Sequence, residues 1–221
     1  MDLADYYDFR LGDYLDGVEA RLEVWKESRF ADRLWEHDHT LWAETPLPEL
    51  TDRLGWLDLP GEMMSRLDDL MEFAQTVRSE GFEHILLLGM GGSSLAPEVF
   101  QKTFGNAAGY PALTVLDSTH PDAVRTAAAG VDPGKTLFLV SSKSGGTQET
   151  ISFFRFFLSQ VSEVSDEPGS HFVAITDPGS SLAELAEEHG FRRIFETPPR
   201  CWRQIFCSHL FRSCTRCIDR C

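Results

Sequence analysis

A chain of 221 residues is long enough to bury one sizeable core and carry an extension besides. Its make-up, 42% hydrophobic and 25% charged, is that of an ordinary globular protein, and no apolar run reaches the ~20 residues a membrane span needs. The formal net charge of −15 makes DNA, RNA and anionic membranes poor partners, so an anionic ligand would have to be held by local N–H groups and one or two cations.

The start, Met1-Asp2-Leu3-Ala4-Asp5, is acidic and lacks the basic head and apolar core of a signal peptide, which points to the cytoplasm. Residues 1–42 read as helical, with Leu11, Leu15, Val18, Leu22 and Trp25 at three- and four-residue steps. His37 and His39 flank Asp38, but residues two apart do not share a helix face and no third ligand is apparent, so no metal is expected there. Residues 43–61 read as a linker with turn signals at Thr45-Pro46, Leu47-Pro48 and Leu59-Pro60-Gly61, and Leu54-Gly55-Trp56-Leu57 as an apolar plug for the main domain. Residues 62–80 predict one helix whose face holds Met63, Leu67, Leu70, Met71, Ala74 and Val77, stopped by Gly81.

From there strands and helices alternate. Strands are expected at 84–88, 113–116, 136–140, 172–175 and 193–195, and helices at about 94–104, 122–129, 148–157 and 182–189. Apolar strands separated by helices imply an α/β fold, a doubly wound parallel sheet, here with a helical N-terminal extension. Residues 1–61 form the extension and linker in this reading, 62–199 the main domain, and 200–221 an aberrant tail.

In an open parallel sheet, ligands bind at the carboxyl ends of the strands. Gly89-Met90-Gly91-Gly92-Ser93-Ser94 follows the first strand; its glycines permit a sharp turn, Ser93 or Ser94 suits a helix cap, and Pro97 suits the first helical turn. A bare strand-turn-helix would have the same pattern as an anion site. The richer loop is Ser142-Lys143-Ser144-Gly145-Gly146-Thr147-Gln148-Glu149-Thr150. Ser142, Ser144 and Thr147 can each donate to a phosphate oxygen, and Gly145 and Gly146 expose backbone N–H groups. Thr147 could also simply cap the helix, but capping does not require two glycines and a hydroxyl run upstream. Lys143 could supply charge or point to solvent. A dinucleotide site fits less well, because Ser94 stands where the third glycine would be and the second Ser/Gly loop would go unexplained. A Walker loop does not fit.

Together these residues resemble a known family. Gly89 to Pro97 looks like the first phosphosugar loop of glucose-6-phosphate isomerases, and Ser142 to Thr150 is similar to that family's Ser-Lys-[Ser/Thr]-x-x-Thr-x-Glu-Thr phosphate loop. The wording around them, including Leu116-Asp117-Ser118-Thr119, the stretch from Trp35 to Trp42, and Arg53-Leu54-Gly55-Trp56-Leu57, most resembles the isomerase half of bifunctional transaldolase/glucose-6-phosphate isomerases. The likeness covers about residues 20–199. It implies a sugar isomerase, flavodoxin-like domain that binds glucose 6-phosphate or fructose 6-phosphate for aldose-ketose interconversion, without a cofactor. It implies that Ser142, Ser144 and Thr147 hold the phosphate, with Lys143 near through its backbone, and that Gly92 and Ser93 line the sugar. It also allows a homodimer in the full-length protein and a fused or neighbouring transaldolase.

This chain departs from the family pattern in two places. His120 stands where related chains carry an acid, in what reads as a surface turn. The family's base glutamate, ring-opening histidine and late lysine lie beyond a Gly-Gly-Arg loop that these 221 residues do not contain, so no catalytic residue is assigned here and the chain is expected to be inactive alone. All five cysteines (Cys201, Cys207, Cys214, Cys217 and Cys221) lie in the tail. Residues 200–221 hold five Arg against one Asp, a net +4, so residues 1–199 carry −19 to give the total of −15. A zinc site from Cys207, His209, Cys214 and Cys217 lacks clean paired spacing. A one-base shift of a reverse-translated tail restores a cysteine-free, apolar peptide with a Gly-Gly-Arg loop, so a frameshift after Pro199 is the expectation. The reading from another class is a non-catalytic sugar-phosphate-binding module of a regulator, which would bring a DNA-binding or partner domain.

Overall fold

The computed structural model describes residues 9–51 and 54–197. The frameshifted-tail and zinc readings of residues 200–221 lie outside the described residues. The chain divides into two compact units, one ending at Leu54 and one beginning at Gly55.

In the first unit a 3-10 turn at Gly12–Tyr14 leads into α1 (Leu15–Glu27), followed by α2 (Phe30–Trp35), a second 3-10 turn at His39–Leu41 and α3 (Pro48–Thr51). The helix expected across the first 42 residues is thus broken. Arg29 (φ 52°) and His37 (φ 58°) take left-handed conformations at the two breaks. Trp25 stacks on Phe30 with ring centroids 4.8 Å apart, and Phe30 meets Trp42 edge-on at 6.4 Å. Asp38 closes the second turn, accepting from the Arg33 guanidinium at 2.7 Å and from the Thr40 N–H at 2.8 Å.

The second unit begins inside what the sequence reads as linker. Leu57 and Leu59 are buried, and Pro60-Gly61 lies in the first turn of α4 (Leu59–Met64) rather than in a loop. Proline suits that place because a first-turn N–H has no intrahelical partner to lose. The helix expected at 62–80 is two helices, α4 and α5 (Leu67–Ser79), parted at Ser65-Arg66.

Five parallel strands follow: β1 (His84–Gly89), β2 (Ala112–Leu116), β3 (Thr136–Ser141), β4 (Phe172–Thr176) and β5 (Arg193–Glu196). Their spatial order is β2-β1-β3-β4-β5. Between them run α6 (Gly92–Phe104), α7 (Pro121–Ala129), α8 (Gln148–Val161) and α9 (Ser181–Glu188). Alternate residues of each strand face opposite sides, and both sides are covered. Ile85, Leu87, Leu137, Leu139, Val173 and Ile175 pack with Leu59, Met63, Leu70 and Val77 from α4 and α5. Leu86, Leu88, Phe138, Val140 and Phe172 pack on the other side with Phe153, Phe154 and Phe157 from α8 and Leu182 from α9. This is why the strands read as unbroken apolar runs. A salt link from Arg193 to both oxygens of Asp69, at 2.6 and 2.7 Å, ties β5 to α5. The doubly wound parallel sheet expected from the sequence is the fold observed. No helix among the described residues is long and apolar enough to cross a membrane.

Candidate functional site

The order β2-β1-β3-β4-β5 places the switch point between β1 and β3: the chain leaves β1 toward β2 on one side, while β3 lies on the other. Gly89 and Ser141, the last residues of the two strands, are register partners. Both loops singled out in the sequence therefore emerge side by side, and each opens a long helix with its N-terminus at the crevice. Helix N-termini present unpaired N–H groups and a positive dipole end, a combination that attracts anions.

After β1 the backbone turns at Gly91 (φ 55°, ψ −119°), a conformation that side chains disfavour. A Cβ on Gly89 would lie 3.2 Å from that of Ser93 and 3.4 Å from the Ser141 carbonyl oxygen, so the first turn of α6 packs tightly on the strand ends. Gly92 is the first helical residue and Ser93, 6% exposed, the second. Neither Ser93 nor Ser94 caps the helix, contrary to the sequence reading. Gly91 holds the cap position without a side-chain bond, and the Ser94 hydroxyl donates back to its carbonyl at 2.9 Å. Because the turn at Gly91 lets the helix start early, Pro97 falls in the second turn and not the first. There its missing N–H cannot serve the Ser93 carbonyl.

After β3 the buried Ser142 donates its hydroxyl to Thr147 Oγ1 at 3.1 Å. Thr147 stands at the cap position of α8 with extended backbone, yet its hydroxyl makes no capping bond. The hydroxyl the sequence offered as a plain cap is instead turned toward Ser142. Ser144 is exposed and accepts from the Gly146 N–H at 3.4 Å. Gly145 (φ +73°) has no room for a side chain: a Cβ would stand 2.2 Å from the Leu182 nitrogen and 2.6 Å from Ser181 Oγ. Gly146 is exposed. Lys143 is half-buried, and its Nζ lies 3.9 Å from Asp177 Oδ2; the Thr197 hydroxyl donates to the other Asp177 oxygen. Of the two fates left open for this lysine, supplying charge or pointing to solvent, the side chain takes neither outright, being turned toward Asp177.

Thr176, Asp177, Ser180 and Ser181, between the fourth strand and its helix, carry no role in the sequence reading. They form the third hydroxyl-rich strand end, next to the phosphate-type loop, and that repetition after β1 and β3 was the available signal. Thr150 is the last residue of the Ser142-to-Thr150 motif. It is fully buried in the first turn of α8, and its hydroxyl has no hydrogen-bond partner among the described residues. His120 caps α7, its Nδ1 accepting from the Asp122 N–H at 3.2 Å, which is the acceptor role a carboxylate would fill.

The arrangement can hold a compact anion between two helix N-termini, with neutral hydroxyl and amide donors and little net positive charge. Comparison with known proteins agrees with this architecture. A glucose-6-phosphate isomerase of Cyanothece sp. is 33% identical over 150 residues, covering 62% of this chain and 28% of its own length. That of Thermosynechococcus vestitus is 32% identical over 181 residues, covering 76% of this chain and 32% of its own length. The chain spans about a third of the length of the curated relatives it matches. A crystal structure of a hypothetical protein from Thermus thermophilus superposes with a TM-score of 0.68 at 30% identity, covering 89% of this chain and 44% of that one. A glucose-6-phosphate isomerase structure from Chlamydia trachomatis shares the fold at a TM-score of 0.57 and 19% identity, covering 77% of this chain and 31% of that one. The family model described as phosphoglucose isomerase matches residues 60–192, well over half of the chain and all of the sheet up to the edge of β5. The chain belongs to the phosphoglucose isomerase family.

Proposed function

We propose that this chain is the sugar-phosphate-binding part of a glucose-6-phosphate isomerase, acting on the interconversion of glucose 6-phosphate and fructose 6-phosphate in the cytoplasm. Ser142, Ser144 and Thr147, with the N–H groups around Gly145 and Gly146, take the phosphate; Gly92 and Ser93 line the sugar; Lys143 contributes through its backbone. The site belongs to the unit that begins at Gly55, and the helical extension to the unit that ends at Leu54. The observation that carries the reading is the pairing of Ser142 with Thr147 at the head of α8, with the Thr147 hydroxyl not used as a cap. The −15 net charge agrees with it, because an acidic protein needs local neutral donors to hold a phosphate. Homodimer formation by the full-length protein, and fusion to or adjacency with a transaldolase, belong to the same proposal and rest on the sequence resemblance.

Titration calorimetry with fructose 6-phosphate tests the site. Ser144→Ala and Thr147→Ala each remove a hydrogen bond to a charged group, about 1.5–3 kcal/mol, and should weaken binding by roughly 10- to 150-fold. Unchanged affinity in both variants would remove this loop from the site.

A further inference from the structure

We infer that Thr176, at the end of β4, is the positioning residue of the phosphate loop: it turns the loop carbonyls away from the crevice so that the amide groups of Lys143, Ser144 and Gly145 face the ligand. The inference rests on the proposed sugar-phosphate site. Three successive carbonyls of the loop are held from the β4 side. The fully buried Thr176 hydroxyl donates to the Ser142 oxygen at 2.6 Å and also lies 3.1 Å from the Lys143 oxygen. The Asp177 N–H donates to Lys143 O at 3.1 Å, and the Ser181 hydroxyl to Ser144 O at 3.3 Å. In a trans peptide the C=O of one residue and the N–H of the next point in opposite directions. With the carbonyls of residues 142, 143 and 144 drawn toward β4, the N–H groups of residues 143, 144 and 145 point the other way. β3 lies between β4 and β1 in the sheet, so that other way is the crevice at the switch point. Successive N–H groups aimed into one concavity make an anion nest.

Thr176 is central to the brace because a hydroxyl has one proton to give. Its proton goes to the loop, so the 2.6 Å contact with Ser180 must be Ser180 donating to Thr176. Ser180 in turn caps α9, accepting from the Ala183 N–H at 3.1 Å. A chain of hydrogen bonds thus runs from the head of α9 through Ser180 and Thr176 to the loop. Gly145 completes the arrangement, since the loop lies against Leu182 and Ser181 more closely than any side chain would permit.

The test uses the whole chain with fructose 6-phosphate and inorganic phosphate as probes. In amide proton-nitrogen spectra of the unmodified protein, phosphate should move the Lys143, Ser144 and Gly145 resonances most. Thr176→Val, near-isosteric but without the hydroxyl, should weaken fructose 6-phosphate binding by about tenfold or more, and Thr176→Ser should restore it. Thr176→Val with native circular dichroism and affinity within twofold of the parent overturns the inference. So does a parent protein that binds the sugar phosphate while those three amides stay still, a result that needs no variant to fold. A parent that binds neither probe overturns the site reading itself, and the inference with it.

Discussion

Asp38 shows what one residue does in the first unit. Hydrogen bonds from the Thr40 side chain and then the Arg33 guanidinium, with the Thr40 N–H, hold its carboxyl at about 2, against an ordinary 3.8. A carboxyl whose folded-state pKa is depressed contributes stability that is present above pH 3.8 and is lost as pH falls through about 2. The turn at His39–Leu41 is therefore expected to hold across the neutral range and to loosen only in strong acid. Thr40→Val should raise the Asp38 pKa toward 3.8, as followed by the carboxyl carbon shift in an NMR titration; a midpoint still near 2 would show that Thr40 is not the main cause. No metal is expected at the flanking His37 and His39, and the carboxylate between them is engaged by Arg33 and Thr40. Lys143 makes the same point in the second unit. Its place in a phosphate-type motif was plain from the sequence, but the partner that takes its ammonium, Asp177, is 34 residues away and could not be picked out from spacing.

Among the elements, the five strands were legible to within a residue or two, because each is a short apolar run ended by a glycine or hydroxyl loop. The helices were legible where the apolar period stops with the helix. They were not where the period continues: buried Leu59, Met63, Leu70, Ala74 and Val77 keep a helical spacing across the break at Ser65-Arg66, since α4 and α5 pack on the same face of the sheet. The Ser65 hydroxyl bonds to the Glu62 carbonyl at 2.7 Å, the kind of local competition that ends a helix without changing its hydrophobic pattern. His120 lies in the turn where the sequence places it, and its ring nitrogen supplies the cap acceptor of α7. His120→Ala should cost about 1 kcal/mol, measured from urea midpoints, whereas His120→Asp should cost little. Equal losses in both variants would mean the ring acts by packing and not as a cap.

For the whole molecule, the 221 residues match about a third of the length of curated glucose-6-phosphate isomerases. Among the described residues, Glu149 is exposed in the first turn of α8 and Asp177 is engaged by Lys143 and Thr197. Proton transfer between C1 and C2 needs a positioned base, worth roughly 10²–10⁴-fold in rate. Purified as this 221-residue chain, the protein is expected to bind sugar phosphate without enzymatic turnover in a coupled assay. Normal turnover would make Glu149 the first residue to test as the base.

By itself the sequence determined the fold class, the places of the strands and the two Ser/Gly loops, because periodicity, glycine and hydroxyl content are local properties of the chain. It also marked an amphipathic face on α1, but could not tell whether anything covers it: Leu15, Val18, Leu22 and Trp25 are 37–52% exposed. Tertiary structure alone decided the strand order, and with it the switch point that brings Gly92 and Ser93 beside Ser142 to Thr147. It also decided that the loop after β4 braces the loop after β3, since Thr176, Asp177 and Ser181 meet the carbonyls of residues 142–144 only once β3 and β4 are neighbours. The reason is physical. A residue's own conformation is written in its neighbours along the chain, whereas the partner of its carbonyl or hydroxyl is chosen by which strands bury each other's faces.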